Sequence, residues 1–253
     1  MVRTMTGVGV QRYRWCIEAL APTSPEVAEP LAIGDTWVMS PWRGEISARE
    51  AWAGVELEEQ ARLMTQLGQA LRRIHDSTLT HRHGEVQRGL GTSFLSWNTL
   101  MTRRLERARA LFSAQEASPL VDAARRATER LYRELAAFHP RTRAVMVHGV
   151  TLERVLVQAS EGVMELTSLV GFERALLGPW ELDFGRLLWF EPVVGREALL
   201  DAFYEGYDMA RTMDIRRREE VYRTLTALEV AEGLTSGEAE LERRCRAYLE
   251  MGA

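Results

Sequence analysis

The stretch that decides the fold lies in the second half of the chain. Residues 144–157 read AVMVHGVTLERVLV, and residues 164–186 read MELTSLVGFERALLGPWELDFGR. Short apolar runs alternate here with glycine and polar residues, a pattern typical of short β-strands joined by loops. The predicted strands are 145–147, 155–157 and 165–170. We expect a small sheet whose strand ends carry the loops 148–150 and 171–173 side by side, where functional residues are commonly found.

Both loops resemble one known family in the order and spacing of their residues. His-Gly at 148–149 precedes an apolar triplet at 155–157, and Gly-Phe-Glu at 171–173 precedes Gly-Pro at 178–179 and Asp183. This pattern resembles the aminoglycoside phosphotransferase and choline kinase-like family, which has the protein-kinase fold. Its catalytic loop reads His-Gly-Asp and continues to an Asn and an apolar triplet, and its metal loop reads Asp-Trp/Phe-Glu. The resemblance implies an α+β fold.

The N-terminal part is similar to the upper lobe of that family. Residues 11–21 predict one helix, and residues 31–39 predict two strands around the turn Gly34-Asp35. If this match holds, the chain begins past the strands that carry the family's Gly-rich loop and phosphate-binding lysine. We expect residues 1–10 to be irregular.

The remaining chain predicts a mainly helical lower lobe. We expect a residual upper lobe over 1–45, and a helical lobe over 46–253 that contains degenerate catalytic and metal loops at 145–173. Apolar residues recur there at three- and four-residue spacing, as in amphipathic helices. The predicted helices are 56–76, 94–114, 119–138, 181–190, 196–211, 215–232 and 238–251.

The departures from the family pattern bear directly on function. Val150 stands where the family has its catalytic Asp, and Gly171 stands where it has a metal-binding Asp. Arg154 or Val155 stands where it has a metal-binding Asn, depending on the placement of a one-residue gap. Phosphoryl transfer of this kind needs a carboxylate to orient the hydroxyl and oxygen ligands for Mg²⁺. We therefore expect ATP and Mg²⁺ to bind poorly, and we predict no cofactor.

Two counts over the whole chain support this expectation. The sequence contains no lysine, so all its basic residues apart from histidine are arginine, and its only asparagine is Asn98. The family holds the nucleotide phosphates with a strand lysine, for which the planar guanidinium of arginine is a poor geometric substitute. Because Asn98 lies far from the loops in sequence, a shifted alignment does not restore the missing metal ligand.

Two residues match positions that are architectural in the family. His75 ends a predicted helix with a Leu-x-x-Leu-His-like segment, and Asp183 matches a residue that braces the catalytic loop by hydrogen bonds. We interpret both as structural. His81 and His83 could suggest a metal site, but two histidines without further ligands favour a solvated loop. An arginine-rich helix face could bind an anionic partner, although a solvated face paired with glutamates is the favoured interpretation. That face carries Arg103, Arg104, Arg107 and Arg109.

Composition excludes several classes of function. The 253 residues are 46% apolar and 27% charged, with a net charge of −4. This is typical of globular proteins and argues against nucleic-acid binding. No apolar run is long enough to cross a membrane, and the N-terminus does not resemble a signal peptide. Cys16 and Cys245 are expected to be free thiols in the cytoplasm.

The leading hypothesis is a pseudokinase that acts by binding a partner protein, a peptide or a small ligand in the former substrate cleft. The candidate binding residues are His148, Arg154, Glu173 and Trp42. We also expect an exposed apolar edge around Trp37, Val38 and Trp42, through which the chain would form a homo-oligomer or a stable complex.

Two alternatives remain open from the sequence. The first is an active ATP-dependent phosphotransferase with displaced catalytic groups, because Glu153, Glu173 and Asp183 are nearby carboxylates and His148 could act as a base. The second is an accessory subunit of a biosynthetic enzyme that presents its cleft to a peptide or an intermediate.

Overall fold

The structure is a computed structural model that describes residues 2–41, 45–88, 96–137, 143–189, 193, 196–234 and 238–250, with residues 135–137, 159–160 and 188–189 described by their backbone alone. Its helices are α1 (Gly7–Leu20), α2 (Ala48–Trp52), α3 (Leu57–Ser77), α4 (Trp97–Ala114), α5 (Pro119–Ala137), α6 (Glu181–Trp189), α7 (Glu197–Gly206), α8 (Met213–Glu232) and α9 (Ala239–Glu250). Its strands are β1 (Val2–Thr4), β2 (Ala32–Ile33), β3 (Trp37–Met39), β4 (Ile46–Ser47), β5 (Gly84–Glu85), β6 (Val145–Val147), β7 (Val155–Ser160), β8 (Val163–Leu169) and β9 (Leu176–Gly178). Of two 3₁₀ turns, Leu152–Arg154 lies directly before β7 and Phe172–Arg174 lies between β8 and β9.

The N-terminal sheet has the strand order β1-β3-β2, with both pairs antiparallel. The predicted hairpin between β2 and β3 is confirmed, and the N–H of Gly34 donates to the carbonyl of Trp37 at 2.9 Å. The prediction that residues 1–10 are irregular was wrong. Their first residues pair with β3, and α1 begins at Gly7 because the hydroxyl of Thr6 accepts the N–H of Gly9 at 3.1 Å.

The exposed apolar edge that the sequence predicts around Trp37 and Val38 is not fully exposed in the structure. The side chain of Val38 is buried because it packs into the first apolar cluster, and that of Trp37 is half-buried. Neither therefore supplies a fully exposed surface. Trp42 lies outside the described residues, and association through this edge stays a prediction.

Two further three-stranded sheets position the central loops. One has the order β4-β7-β8 and the other the order β5-β9-β6, with antiparallel pairing throughout. The strands β6, β7 and β8 match the predicted strands closely. Strand β9 was not predicted, and it is extended because it pairs with both β5 and β6.

The helices pack into two buried apolar clusters. The first joins α1, α3 and α7 to the central loops, and the second joins α4, α5, α8 and α9. Helices α3 and α7 approach closely because glycine faces backbone on both sides: a Cβ on Gly68 would lie 2.2 Å from the Phe203 oxygen, and one on Gly206 would lie 2.1 Å from the Thr65 oxygen.

Most predicted helices are present, with shifted ends. Helix α7 ends before the predicted residue 211, because Asp208 adopts a left-handed conformation with φ of 57°. Helix α8 begins two residues early because Thr212 caps it. In the part of the chain that the structure describes, no helix is both long and apolar enough to span a bilayer.

Candidate functional site

Asp183 holds the loop 148–150 from behind. This carboxylate lies in the first turn of α6 and is fully buried. Its oxygens accept the backbone N–H groups of His148 at 2.9 Å, of Gly149, and of Val150 at 3.1 Å. Three consecutive backbone donors are thus satisfied by one side chain, which fixes the path of the loop.

His75 extends this network into the core. Its Nε2 lies 3.1 Å from Oδ2 of Asp183, and its Nδ1 lies 2.7 Å from the hydroxyl oxygen of Tyr207. Burial alone would raise the pKa of Asp183, but the hydrogen bond and charge of His75, with the loop N–H of His148, hold it below its ordinary value. The carboxylate therefore remains ionised inside the core and has little capacity left to act on a substrate.

His148 faces the interior rather than the cleft. Its buried ring packs edge-on against Phe172, with 4.4 Å between the ring centroids. The Nε2–H donates to the carbonyl of Val170 at 3.0 Å. Burial lowers the pKa of His148 to about 4, so the ring is neutral at pH 7. An imidazole without solvent access is poorly placed to serve as a general base.

The structure resolves which residue faces the metal loop. Val155 begins β7 with its side chain in the core, and the side chain of Val150 is also fully buried there. Arg154 instead extends towards Gly171. Its Nη1 donates to the Gly171 carbonyl at 3.0 Å, and its Nη2 lies 3.5 Å from Oε1 of Glu173. The guanidinium group therefore bridges the two loops.

Gly171 makes this bridge possible. It adopts a left-handed conformation with φ of 97° and ψ of 35°. A Cβ at this position would lie 3.1 Å from Cδ and 3.2 Å from Nε of Arg154. Gly171 and Arg154 are thus complementary. The arginine side chain fills the space that a side chain on residue 171 would enter.

Glu173 is the carboxylate of the metal loop. Its side chain is 23% exposed, and one oxygen, Oε2, is buried without a hydrogen-bond partner among the described residues. Arg12 donates to the backbone carbonyl of Glu173 at 3.2 Å and pairs with Glu85 at 2.8 Å. Helix α1 is therefore tied to the metal loop.

The donor set does not fit the magnesium ion that the family resemblance implies. The two loops present Arg154, Gly171 and Val150 at the positions where oxygen ligands would be required. Across the described residues, no group of three or more His, Cys, Asp or Glu side chains is arranged to hold a metal ion. His83, considered with His81 as a weak metal signal, packs against Trp97, and burial lowers its pKa.

The structure also brings arginines to the site that sequence reasoning did not single out. Arg186 lies directly over Gly149, where a Cβ would be 2.3 Å from its Nη1. Arg174 follows Glu173 at the end of the 3₁₀ turn and is exposed. Because residues three apart share one face of a helix, the position of Arg186 on α6 could have been inferred from that of Asp183. In the arginine-rich face of α4, Arg104 pairs with Glu229 and Arg109 with Glu129.

Comparison with known proteins places this architecture in a family. Among solved structures, the aminoglycoside phosphotransferase APH(4)-Ia matches with a TM-score of 0.70 and 16% identity, over 97% of this chain and 83% of that one. The gentamicin complex of APH(2")-IIa matches with a TM-score of 0.65 and 12% identity, over 99% and 84%. The ADP-bound APH(2'')-Ib matches with a TM-score of 0.63 and 12% identity, over 96% and 82%.

At these identities the structural matches establish the fold, which is the expected protein-kinase-like fold. No curated protein sequence matches the chain. The sequence model of the phosphotransferase enzyme family, however, matches residues 10–221, which is most of the chain. This chain therefore belongs to the phosphotransferase enzyme family.

Proposed function

We propose that this chain is a pseudokinase: a member of the phosphotransferase family that binds a ligand or a partner in its cleft and does not transfer phosphoryl groups. One observation carries the proposal. The guanidinium of Arg154 reaches the carbonyl of Gly171 and the carboxylate of Glu173, so a fixed positive charge lies between the loops that would hold a divalent cation. A cation at that point repels a metal ion.

The remaining carboxylates support the same proposal. The oxygens of Asp183 are engaged by the backbone of the loop and by His75, which leaves no group there to orient a hydroxyl. Glu153 is paired with Arg49 at 3.3 Å. With the catalytic position occupied by a buried valine, charge that developed in a transition state would have nothing positioned to stabilise it.

The first test measures binding of Mg²⁺ and ATP by differential scanning fluorimetry. A ligand at 100 times its Kd stabilises a protein by about 2.7 kcal/mol, which raises Tm by roughly 5–10 °C for a chain of this size. We expect no shift with Mg²⁺ and ATP. A shift of several degrees with a micromolar Kd would overturn the proposal.

The second test addresses the alternative of an active enzyme. Radiolabelled ATP is incubated with pooled aminoglycosides, choline and sugars, and we expect no transfer above background. The variant Arg154→Asn with Gly171→Asp serves as the positive comparison, because it places an amide and a carboxylate oxygen at the two loop positions. We expect this variant to gain Mn²⁺ binding, measured by electron paramagnetic resonance, while the wild-type chain shows none.

A further inference from the structure

A cavity of about 560 Å³ lies in front of the loop 148–150. Its lining includes Gly149, Thr151 and Arg154, together with residues of α8, of α9 and of the segment between them. This volume lies within the range of small-molecule sites, roughly 300–1,000 Å³. The cavity is therefore large enough for a ligand of its own.

Three arginines reach this cavity from three different elements. Arg154 comes from the catalytic loop, Arg174 from the metal loop and Arg186 from α6. Arg174 forms no hydrogen bond or ion pair with another described residue, and it is exposed to the cavity mouth. A neighbouring cavity of about 330 Å³ shares Arg174 and Arg186 and adds Arg12, Arg104 and Arg107, which outnumber its two acidic lining residues, Glu229 and Glu232. Positive charge therefore continues beyond the first cavity.

Most carboxylates near these arginines already have a cationic partner, including Glu173, whose Oε1 lies 3.5 Å from Nη2 of Arg154. Glu229 uses one oxygen for Arg104 at 2.6 Å and the other for Arg186 at 3.2 Å. Glu153 pairs with Arg49 outside the cluster, and Glu238 completes the acidic groups of the cavity lining. No carboxylate among the described residues lies within ion-pair distance of Arg174.

The arginines also act on one another. Burial lowers the pKa of Arg154, Glu173 opposes this effect, and the charges of Arg174, Arg186 and Arg3 add to the lowering. Like charges gathered in a partly buried site repel, and an anion placed among them relieves that repulsion. Guanidinium groups also match the geometry of carboxylates and phosphates.

The lining from α8, α9 and the segment between them includes three apolar side chains beside Thr226, Glu229 and Glu238. Val230, Leu234 and Leu241 line the cavity and are half-buried, so part of their surface faces the space. A ligand that fills the cavity can bury this surface against an apolar body of its own.

We infer that this cavity binds a small organic anion, whose carboxylate or phosphate lies among Arg154, Arg174 and Arg186 while its apolar body packs against Val230, Leu234 and Leu241. The inference rests on the proposed binding function and specifies its ligand class. It also separates this chain from a receptor for aminoglycosides, because those molecules carry several ammonium groups and would be repelled by the arginines.

The test is isothermal titration calorimetry on the whole chain in EDTA, with phenyl phosphate, phenylacetate, inorganic phosphate and benzyl alcohol as probes. Phenyl phosphate and phenylacetate distinguish the two anionic groups, inorganic phosphate lacks the apolar body, and benzyl alcohol lacks the charge. We expect at least one aromatic anion to bind with a Kd below about 1 mM, and the other two probes to bind at least about tenfold more weakly.

Arg174→Gln is the decisive variant, because its exposed side chain can be shortened without disturbing the core. We expect it to weaken binding of the aromatic anion about tenfold, since one charge-assisted contact is lost. Arg109→Gln is the matched control; Arg109 is an exposed arginine paired with Glu129 on α5, away from both cavities, and its removal should leave the Kd unchanged.

Four results would overturn the inference: no aromatic anion binds below about 1 mM, benzyl alcohol or inorganic phosphate binds as tightly, Arg174→Gln has no effect, or binding requires added Mg²⁺. Failure here differs from failure of the proposed function. Phosphoryl transfer from ATP would contradict the pseudokinase whatever the titrations give, whereas absent anion binding without transfer would contradict only the ligand class.

Discussion

The back and the front of the loop 148–150 differ in the residues that contact them and in what those residues do. Behind it, Asp183 and His75 form a buried network whose donors and acceptors are matched. In front of it, Arg154 and Gly171 stand at positions where the family pattern has oxygen ligands. The residues that shape the loop from behind are thus separate from those on its open face. This separation makes opposite predictions for stability on the two sides.

The largest effect is expected at the back, for Asp183→Ala. Removal of this carboxylate leaves three backbone N–H groups and His75 without their acceptor in a dry environment. Because buried groups left unpaired are costly, the free energy of unfolding should fall by about 3–5 kcal/mol. Urea denaturation measures this change.

Asp201→Ala is the control for that experiment, since Asp201 is exposed on α7. It should change the free energy of unfolding by less than about 0.5 kcal/mol. If Asp183→Ala behaved like this control, the network behind the loop would have no special role and the contrast between back and front would fail.

The next effect is a pH dependence that arises from His148. Its folded-state pKa of about 4 lies below the ordinary value of 6.5, so the unfolded chain binds more protons between these two values. The stability that the neutral ring contributes is fully present above pH 6.5 and is lost as pH falls towards 4. A shift of this size corresponds to roughly 3 kcal/mol.

His148→Gln should flatten the part of the stability profile between pH 6.5 and 4, as measured by urea denaturation at successive pH values. His81→Gln provides the comparison, because His81 is exposed in the loop after α3 and should leave the profile as it is. An unchanged acid limb in His148→Gln would mean that the ring is not held neutral in the folded chain.

A smaller effect tests the fit between Gly171 and Arg154. Both Gly171 and Gly162 have positive φ, of 97° and 82°, but a Cβ on Gly162 would meet nothing within 4 Å. Gly162→Ala therefore measures the cost of the backbone conformation alone, about 1 kcal/mol. Gly171→Ala should cost about 1 kcal/mol more, because its Cβ crowds Arg154.

Addition of Arg154→Asn to Gly171→Ala should abolish that difference, since the shorter side chain no longer crowds the new methyl group. Thermal and urea unfolding of the wild-type chain, Arg154→Asn, Gly171→Ala and the double variant give the coupling between the two positions. A cost for Gly171→Ala equal to that for Gly162→Ala would show that the guanidinium does not occupy the space above the glycine.

The contrast between the back and the front of the loop also explains which residue positions could be assigned from the sequence. The positions of Asp183 and His75 could be assigned because short local patterns surround them. The choice between Arg154 and Val155 could not be made, because a one-residue gap is invisible until β7 shows which side chain enters the core.

Long-range pairing accounts for the other differences. Residues of β1 lack any local strand pattern and are extended only because they pair with β3. Packing against the first apolar cluster buries Val38, which the sequence placed on an exposed edge. The arginine cluster also depends on tertiary structure, because Arg154, Arg174 and Arg186 come from separate elements and meet only after the loops and α6 have packed.

The smallest change in stability is expected for Arg174→Gln at the front. Its side chain is exposed and forms no ion pair with a described residue, so the free energy of unfolding should change by less than about 0.5 kcal/mol. Because Arg154 loses a repulsive neighbour in this variant, we expect any change to be in the stabilising direction. Urea denaturation of Arg174→Gln beside Asp183→Ala measures the contrast directly. A loss above about 2 kcal/mol would mean that Arg174 belongs to the framework of the loop rather than to its open face.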